Sequence, residues 1–171
     1  QAAAVTTDEA TRDGNVRGFF RNRRAAMRLE NPDTEFEILK READSAGAFH
    51  YRLQQRFQGI KVWGGEAAVH LAADGSVESM EGAFIPTPRA MATNPVVQLA
   101  VAVQVVNGKD YAGRGKVFGD SELVINGTIG ESPRLAWKFS MASDLADARR
   151  YLVDAINGEI ISKVDMVHHG A

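Results

Sequence analysis

The four histidines are the side chains of this sequence best suited to acid–base or metal chemistry. His50 and His70 lie on two stretches that are predicted to be strands and to approach one another, but two ligands without a third make a weak metal site. His168 and His169 are neighbours near the carboxyl end, where extended backbone would point them in opposite directions. The zinc-binding pattern His-Glu-x-x-His occurs nowhere. The sequence therefore predicts no metal site, no cofactor and no catalytic residue.

Two other stretches carry residues that bind anions in some proteins. The stretch GRGKVFG, residues 113–119, fits neither of the common phosphate-loop spacings and is predicted to be a flexible connection. The arginines between Arg21 and Arg24 have two interpretations, a solvated helix face, which we favour, or a patch that docks an acidic partner. No recognisable motif assembles an acid, a base and a nucleophile. We therefore predict that the chain is not an enzyme.

The composition excludes several classes of partner. With 171 residues, 44% of them hydrophobic, the chain has enough apolar material for a real core. Its 20 basic and 22 acidic residues give a formal charge of -2, which offers no overall field for nucleic acid or an anionic membrane. No apolar run approaches the roughly 18 residues that a membrane helix needs. We expect neither nucleic acid nor a membrane as a partner.

The cysteine count and the first residues bear on location. The sequence has no cysteine, which excludes disulfides and Cys-based zinc sites and suits an exported bacterial protein. It begins QAAAVTT, which is small and polar, as expected after a removed signal peptide, although any other cut in a longer chain would look the same. We expect a secreted or periplasmic protein.

The first half of the sequence predicts one helix and about four strands. Apolar residues at near-helical spacing predict an amphipathic helix from Asp8 to Leu29, which Pro32 would end. Residues 49–57 alternate between apolar and polar side chains, as in a half-buried antiparallel strand that Gly59 interrupts. Asp74-Gly75 suits a tight hairpin turn between two further strands.

The second half repeats this plan after a proline-rich connection, IPTPRAMATNP. Asn94-Pro95 is a good helix start, and the apolar run 96–106 predicts a deeply buried helix. Strand-like stretches follow, and the last two are joined by a predicted two-residue turn at Asn157-Gly158. We detect no residue-level repeat. The sequence thus predicts an α+β fold of two tandem subdomains, 1–90 and 91–171, each a helix packed on an antiparallel sheet.

The most specific pattern is HYRLQQRFQGIKVWGGEAAVHLAADGSVESMEGAFIP, residues 50–86. It resembles the fungalysin/thermolysin propeptide (FTP) motif through residues that occur in the expected order: Gln54, Gln55, Gly59, Val62, Gly65, Gly75 and Gly82. The stretch from Pro95 onward resembles a PepSY domain through a weaker set: Trp137, Tyr151, Leu152, Val153, Asp154, Gly158 and Glu159. The two patterns together span most of the chain.

This resemblance implies the prosegment of a secreted thermolysin-like zinc metalloprotease, with a cystatin-like fold in each half. Such a segment assists folding of the cognate catalytic domain, which is its partner, and blocks the cleft until processing. The last residues would then act as an inhibitory tail: His168, His169, Gly170 and Ala171. The alternative is a free-standing extracytoplasmic FTP/PepSY module that binds or inhibits proteases in trans.

The two adjacent glutamines have separate predicted roles. Strict alternation places Gln55 on the apolar face beside Leu53 and Phe57, and Gln54 on the opposite face. A carboxamide bridges strand and loop without the desolvation penalty of an ion. We predict that Gln55 holds the sheet to its helix or to a loop and that Gln54 is available to a partner. The alternative is that both are ordinary solvated residues.

Overall fold

The computed structural model describes residues 7–127 and 131–167. The chain divides into two compact units, Gln1–Arg89 and Ala90–Ala171. Each unit contains antiparallel strands and at least one helix, so the predicted mixed α+β class is confirmed. No helix within the described ranges is long and apolar enough to cross a membrane.

Over its described residues, 7–89, the first unit contains three helices and four strands. They are α1 (Glu9–Asn22), α2 (Arg24–Met27), α3 (Pro32–Glu35), β1 (Phe36–Ala43), β2 (Phe49–Phe57), β3 (Ile60–Leu71) and β4 (Val77–Gly82). Each strand pairs antiparallel with the next one in the chain. The result is a four-stranded meander in which β2 and β3 are central.

The core of this unit lies between α1 and the sheet. Val16 and Phe20, four residues apart on α1, are almost completely buried and pack against Tyr51, Leu53 and other strand residues. The rings of Phe20 and Phe36 stack with their centroids 4.4 Å apart. Burying each large apolar side chain stabilises the unit by about 1.5–3 kcal/mol. The amphipathic pattern of the first helix therefore identifies its buried face correctly.

The predicted helix over residues 8–29 is divided in two. Asp8 caps α1, because its Oδ1 atom accepts a hydrogen bond from the Thr11 amide over 2.7 Å. Arg23 separates α1 from α2, and Arg28 ends α2 in the left-handed conformation, with φ at 54°. Pro32 does not end a helix but occupies the first position of α3, where its missing N–H is not needed.

The described part of the second unit, residues 90–127 and 131–167, contains one helix and four strands. They are α4 (Leu99–Asp110), β5 (Lys116–Asn126), β6 (Arg134–Ala142), β7 (Arg149–Asp154) and β8 (Ile160–Asp165). β5 pairs with β6, β6 with β7 and β7 with β8, all antiparallel. The stretch GRGKVFG is not a flexible connection throughout, because β5 starts at Lys116. Residues 113–115 precede the strand, and Gly119 lies at an irregularity in its pairing with β6 between Phe118 and Glu122.

The helix of this unit differs from the prediction in its start. It begins at Leu99 rather than at Asn94-Pro95. The amides of Val96 and Val97 both donate to the carbonyl oxygen of Ala155, over 2.9 and 2.8 Å. These two hydrogen bonds hold the residues before α4 in an extended segment.

The same helix is also less buried than predicted. Only Ala102 and Val106 are fully buried, and they pack against the sheet. Val101 and Val105 are 48% and 38% exposed, which contradicts the prediction of a deeply buried helix. A helix that packs on one side of a sheet buries a single stripe, and a continuous apolar run does not show which stripe that is.

Each unit fastens its helix to a buried tyrosine. The Tyr51 hydroxyl group donates to Asp13 Oδ1 on α1 over 2.7 Å, and the Tyr151 hydroxyl group donates to Asp110 Oδ2 on α4 over 2.8 Å. Both tyrosines are fully buried. The two units thus share a residue-level contact that was not visible as a sequence repeat, because the aspartate precedes its tyrosine by 38 residues in one unit and 41 in the other.

Candidate functional site

Gln55 joins the central strand β2 to the segment that follows β4. Its side chain is 1% exposed. The Nε2 atom donates to the carbonyl oxygen of Ile85 over 2.7 Å, and the Oε1 atom accepts from the amide of Ile85 over 2.9 Å. One side chain therefore satisfies both backbone groups of a residue that has left the sheet. Gln55 is a structural clamp between β2 and this segment.

Gln54 is buried beside it, which contradicts the prediction that it is available to a partner. It is 3% exposed, and its Nε2 atom donates to the carbonyl oxygens of Gln55, Val62 and Gly65 over 2.8–3.0 Å. The cause is an irregularity in the pairing of β2 with β3, where the register shifts between Gln54 and Arg56. The extra residues lie on β3, where residues 62–65 stand opposite Gln55 alone, so β2 keeps its alternation and the bulged segment of β3 covers Gln54 on the other face.

At two positions of the motif the backbone conformation requires glycine. Gly82 has φ at 125°, and a Cβ atom there would lie 2.2 Å from the carbonyl oxygen of Glu66. Gly59 has φ at 80° and forms with Gln58 the turn between β2 and β3. Only glycine adopts either conformation without strain.

The other two glycines of the motif lie close to neighbouring chain. A Cβ atom on Gly65 would lie 2.9 Å from the Cβ atom of Val62. Gly75 lies in the connection between β3 and β4, close to Thr7. This connection runs over residues 72–76, because the amide of Ala72 donates to the carbonyl oxygen of Ser76. It is longer than the tight turn that Asp-Gly predicted.

A buried polar cluster fixes the segment after β4 at a second point. The Thr87 hydroxyl group donates to Glu35 Oε1 and accepts from the Glu30 amide, the latter over 2.9 Å. Glu35 Oε2 accepts from the Asn31 amide over 2.7 Å. This cluster is not predicted from the sequence: Asn31-Pro32 is typical of a helix start, but Glu35 lies one residue beyond the usual capping-box spacing.

Asp154 organises the connection between β7 and β8. Its Oδ1 atom accepts from the amides of Ile156 and Asn157 over 2.7 and 3.0 Å, and its Oδ2 atom accepts from Arg134 over 2.7 Å. Burial raises the pKa of Asp154, but these amides and the Arg134 guanidinium outweigh it and hold the pKa below its usual range. The connection spans residues 155–159, so the predicted two-residue turn at Asn157-Gly158 is wrong.

Trp137 and Gly158 lie near the start of α4. The indole Nε1 atom of Trp137 donates to the carbonyl oxygen of Val97 over 2.8 Å. Gly158 has φ at 78°, and a Cβ atom added there would lie 3.9 Å from Val97 Cγ2. Together with the Ala155 carbonyl, these contacts fix the chain just before the helix. The motif residues of the second unit are therefore structural as well.

The two strand histidines do meet, at directly opposite positions of β2 and β3. Their Nδ1 atoms are 2.6 Å apart, while His50 Nε2 faces Asp44 and His70 Nε2 faces Glu81, over 2.9 and 3.1 Å. The two carboxylates bind the outer nitrogens, away from the Nδ1 pair, so no third ligand joins it. Over residues 7–127 and 131–167, no group of three histidine or acidic side chains is placed to hold a metal ion.

The four residues of the predicted inhibitory tail lie outside the described residues: His168, His169, Gly170 and Ala171. The described chain ends just after β8, where the amide of Met166 donates to the carbonyl oxygen of Ala148 over 2.9 Å. Among the described motif residues, the side chains of Gln54, Gln55, Trp137 and Asp154 hold backbone groups in place by hydrogen bonds. Such contacts stabilise the fold of each unit.

The chain is similar in sequence to proteins of known family. Residues 34–84 match the family model described as the Fungalysin/Thermolysin Propeptide Motif. The chain is 30% identical over 152 residues to the bacillolysin of Brevibacillus brevis, which covers 81% of this chain and 28% of that protein. It is 27% identical over 139 residues to the thermolysin of Alicyclobacillus acidocaldarius, covering 74% of this chain and 24% of that protein.

The chain spans about a quarter of the length of these relatives. Among solved structures, the Bacillus megaterium YpeB C-terminal domain aligns with 98% of this chain and 70% of that one, at a TM-score of 0.47 and 12% identity. This structural similarity is too weak to support any conclusion about the family of the chain. The sequence matches alone carry the relationship.

Proposed function

We propose, because the chain contains the fungalysin/thermolysin propeptide motif and is homologous to bacillolysin and thermolysin, that it is the prosegment of a secreted thermolysin-like zinc metalloprotease. In this role it assists folding of the cognate catalytic domain and inhibits it until processing. The motif match over residues 34–84 is the observation that carries the proposal. The buried hydrogen bonds of Gln54 and Gln55 support it, since they give the motif a structural purpose in a segment without catalytic chemistry.

The proposal extends to the two units. We assign residues 1–90 to an FTP domain and 91–171 to a PepSY-like domain, each with a cystatin-like arrangement of helix and sheet. In each unit one helix packs on four antiparallel strands, through α1 in the first and α4 in the second, which supports this assignment. The partner is the catalytic domain of the same protease, and the location is extracytoplasmic.

Inhibition is proposed to involve the carboxyl-terminal tail, residues 168–171. A tail that occupies the cleft acts as a bound product, and covalent linkage keeps its effective concentration in the millimolar range or above. Binding to the folded catalytic domain in preference to the unfolded chain also stabilises the folded domain by mass action. Binding to the catalytic domain thus accounts for both activities, because it blocks the cleft and also stabilises the folded domain.

The test uses the catalytic domain encoded by the same reading frame. The denatured domain is refolded with and without the separate 171-residue chain, and recovered peptidase activity is measured after the chain is removed. The mature enzyme is also titrated with the chain and with a form that ends at Val167. We expect a higher refolding yield with the chain, and inhibition that weakens when the last four residues are absent.

Equal refolding yields with and without the chain would contradict the folding role, and equal inhibition by the two forms would remove the tail from the mechanism. The reading frame gives an independent check. A frame that continues beyond Ala171 into His-Glu-x-x-His indicates a prosegment, whereas a stop codon there indicates a free-standing module that acts on proteases in trans.

A further inference from the structure

Three arginines of the first unit have no partner among the described residues. Seven others in this unit each contact a carboxylate, a backbone carbonyl or an aromatic ring: Arg12, Arg17, Arg21, Arg23, Arg41, Arg52 and Arg56. Arg24, Arg28 and Arg89 make no side-chain hydrogen bond or ion pair within residues 7–127 and 131–167, and all three are exposed. Unpaired guanidinium groups in a unit that pairs nearly all the others mark a candidate binding surface.

The same three arginines line one depression of about 560 Å³. Arg24 begins α2 and Arg28 ends it, four residues later. Arg89 comes from the segment after β4, and a hydrogen bond of 3.0 Å from the Thr87 amide to the carbonyl oxygen of Arg28 brings that segment beside α2. The fold therefore gathers cations that lie more than 60 residues apart in the sequence.

The rest of the depression favours a polypeptide ligand. Ala25 is exposed and contributes apolar surface, whereas Leu29, which also lines the depression, is a core residue and only 4% exposed. Glu30 also lines the depression, so its carboxylate offsets one of the three positive charges and an excess of two remains. A guanidinium group matches a carboxylate with two parallel hydrogen bonds. Acidic side chains on a protein surface supply such carboxylates next to apolar groups.

We propose that Arg24, Arg28 and Arg89 bind the carboxylates of an acidic segment on the protein partner of this chain. The inference rests on the proposed function for the existence of that partner and adds the chemistry by which the first unit recognises it. Nucleic acid is disfavoured because three cations on a chain of net charge -2 neutralise too few phosphates for useful affinity. The second interpretation of the arginine cluster, a patch that docks an acidic partner, thus keeps Arg24 of that cluster and adds Arg28 and Arg89.

The test measures binding of an acetylated, amidated hexaglutamate peptide to the full chain in 50 mM and 150 mM NaCl. The arginine Nε–H signals in NMR spectra identify the side chains that respond, and calorimetry gives the affinity. The test variant is R24Q/R28Q/R89Q. The matched control is K109Q/R114Q/K116Q, which removes three positive charges from exposed positions of the second unit and changes the net charge equally.

We expect saturable shifts of the Arg24, Arg28 and Arg89 signals and an affinity that falls with salt. The test variant should bind about tenfold more weakly, since it loses three exposed ion pairs that are each weak, and the control less than twofold. A variant with lysine at all three positions should bind at an intermediate affinity, because lysine keeps the charge but loses the paired hydrogen bonds.

Absence of binding, or equal losses in the test and control variants, would overturn the inference. Inorganic phosphate that binds as tightly as hexaglutamate would also overturn it, because the site would then be a small-anion site. The assay contains no protease, so a negative result here leaves the refolding and inhibition measurements of the proposed function unaffected.

Discussion

Gln55 and Ile85 exchange two hydrogen bonds, one from the side-chain amide to the backbone carbonyl over 2.7 Å and one from the backbone amide to the side-chain oxygen over 2.9 Å. This is the pairing that a neighbouring strand would supply through its backbone. Here a side chain supplies it to a segment that carries no regular structure. The contact fixes where the chain goes after the first sheet.

Replacing Gln55 with alanine should destabilise the first unit by about 2–4 kcal/mol. Both backbone groups of Ile85 would remain buried without a partner, and each costs about 1–3 kcal/mol. Urea unfolding measures the effect. The control is Gln104→Ala at an exposed helix position, which should change the free energy of unfolding by less than about 0.5 kcal/mol. Equal effects at the two positions would contradict the clamp.

A substitution at Gln54 tests the effect of a charge at this buried position of β2. Gln54→Glu is nearly isosteric but puts a carboxylate beside three carbonyl oxygens, so it should destabilise the unit by about 3 kcal/mol or more, and more than Gln54→Met. The folded pKa of the new carboxyl group would be raised. The penalty should therefore shrink as the pH falls through the raised folded pKa and should level off below about 4, the usual pKa in the unfolded chain. A penalty independent of pH would rule out this account.

Two motif glycines should respond differently to alanine. Gly82→Ala places a Cβ atom 2.2 Å from a backbone oxygen and should cost more than about 3 kcal/mol or prevent folding of the unit. Gly59→Ala has no atom within 4 Å of its Cβ and should cost only the left-handed backbone strain, about 1–2 kcal/mol. Circular dichroism and urea unfolding compare them. A smaller effect at Gly82 than at Gly59 would contradict the close backbone approach.

Asp154 should make the second unit sensitive to acid. Its folded pKa is lowered, so the stability it contributes is present above the ordinary value of 3.8 and is lost as the pH falls through the folded pKa. Asp154→Asn should destabilise the unit by about 1–3 kcal/mol at pH 6 because the bond from Arg134 loses its acceptor. That difference should narrow below pH 3.8. Hydrogen exchange of amides in β7 and β8 measures it, and a constant difference would contradict the prediction.

The strands and the mixed fold class can be predicted from the sequence because they depend on the alternation of apolar and polar side chains, which is a local pattern. The burial of Gln54 cannot be predicted in this way, since it depends on a bulge of the neighbouring strand β3 that includes Gly65. The start of α4 has a similar cause. Asn94-Pro95 is a favourable cap, but two hydrogen bonds to Ala155, some 60 residues away, hold the chain extended. Contacts between distant residues override these local signals.

The surface formed by Arg24, Arg28 and Arg89 is likewise only partly predictable from the sequence. The sequence indicates a concentration of arginine near Arg21 to Arg24, but it does not distinguish paired from unpaired side chains. Arg21 is paired with Asp33, and Arg23 covers the ring of Phe19. Arg89 joins Arg24 and Arg28 only because Thr87 binds the Arg28 carbonyl. A hydrogen bond that is invisible in the sequence therefore defines the surface.

The two tyrosine–aspartate contacts give the protein an intrinsic optical reporter. Burial raises the pKa of Tyr51, Tyr111 and Tyr151, which are all the tyrosines of the sequence, above their usual value near 10. The neutral phenol groups therefore contribute folding stability that is present below about pH 10 and is lost as the pH rises through the folded pKa values of these tyrosines. In a spectrophotometric titration, phenolate absorbance should appear only together with alkaline denaturation, and release of a phenolate from an intact fold would show that a helix has separated from its sheet.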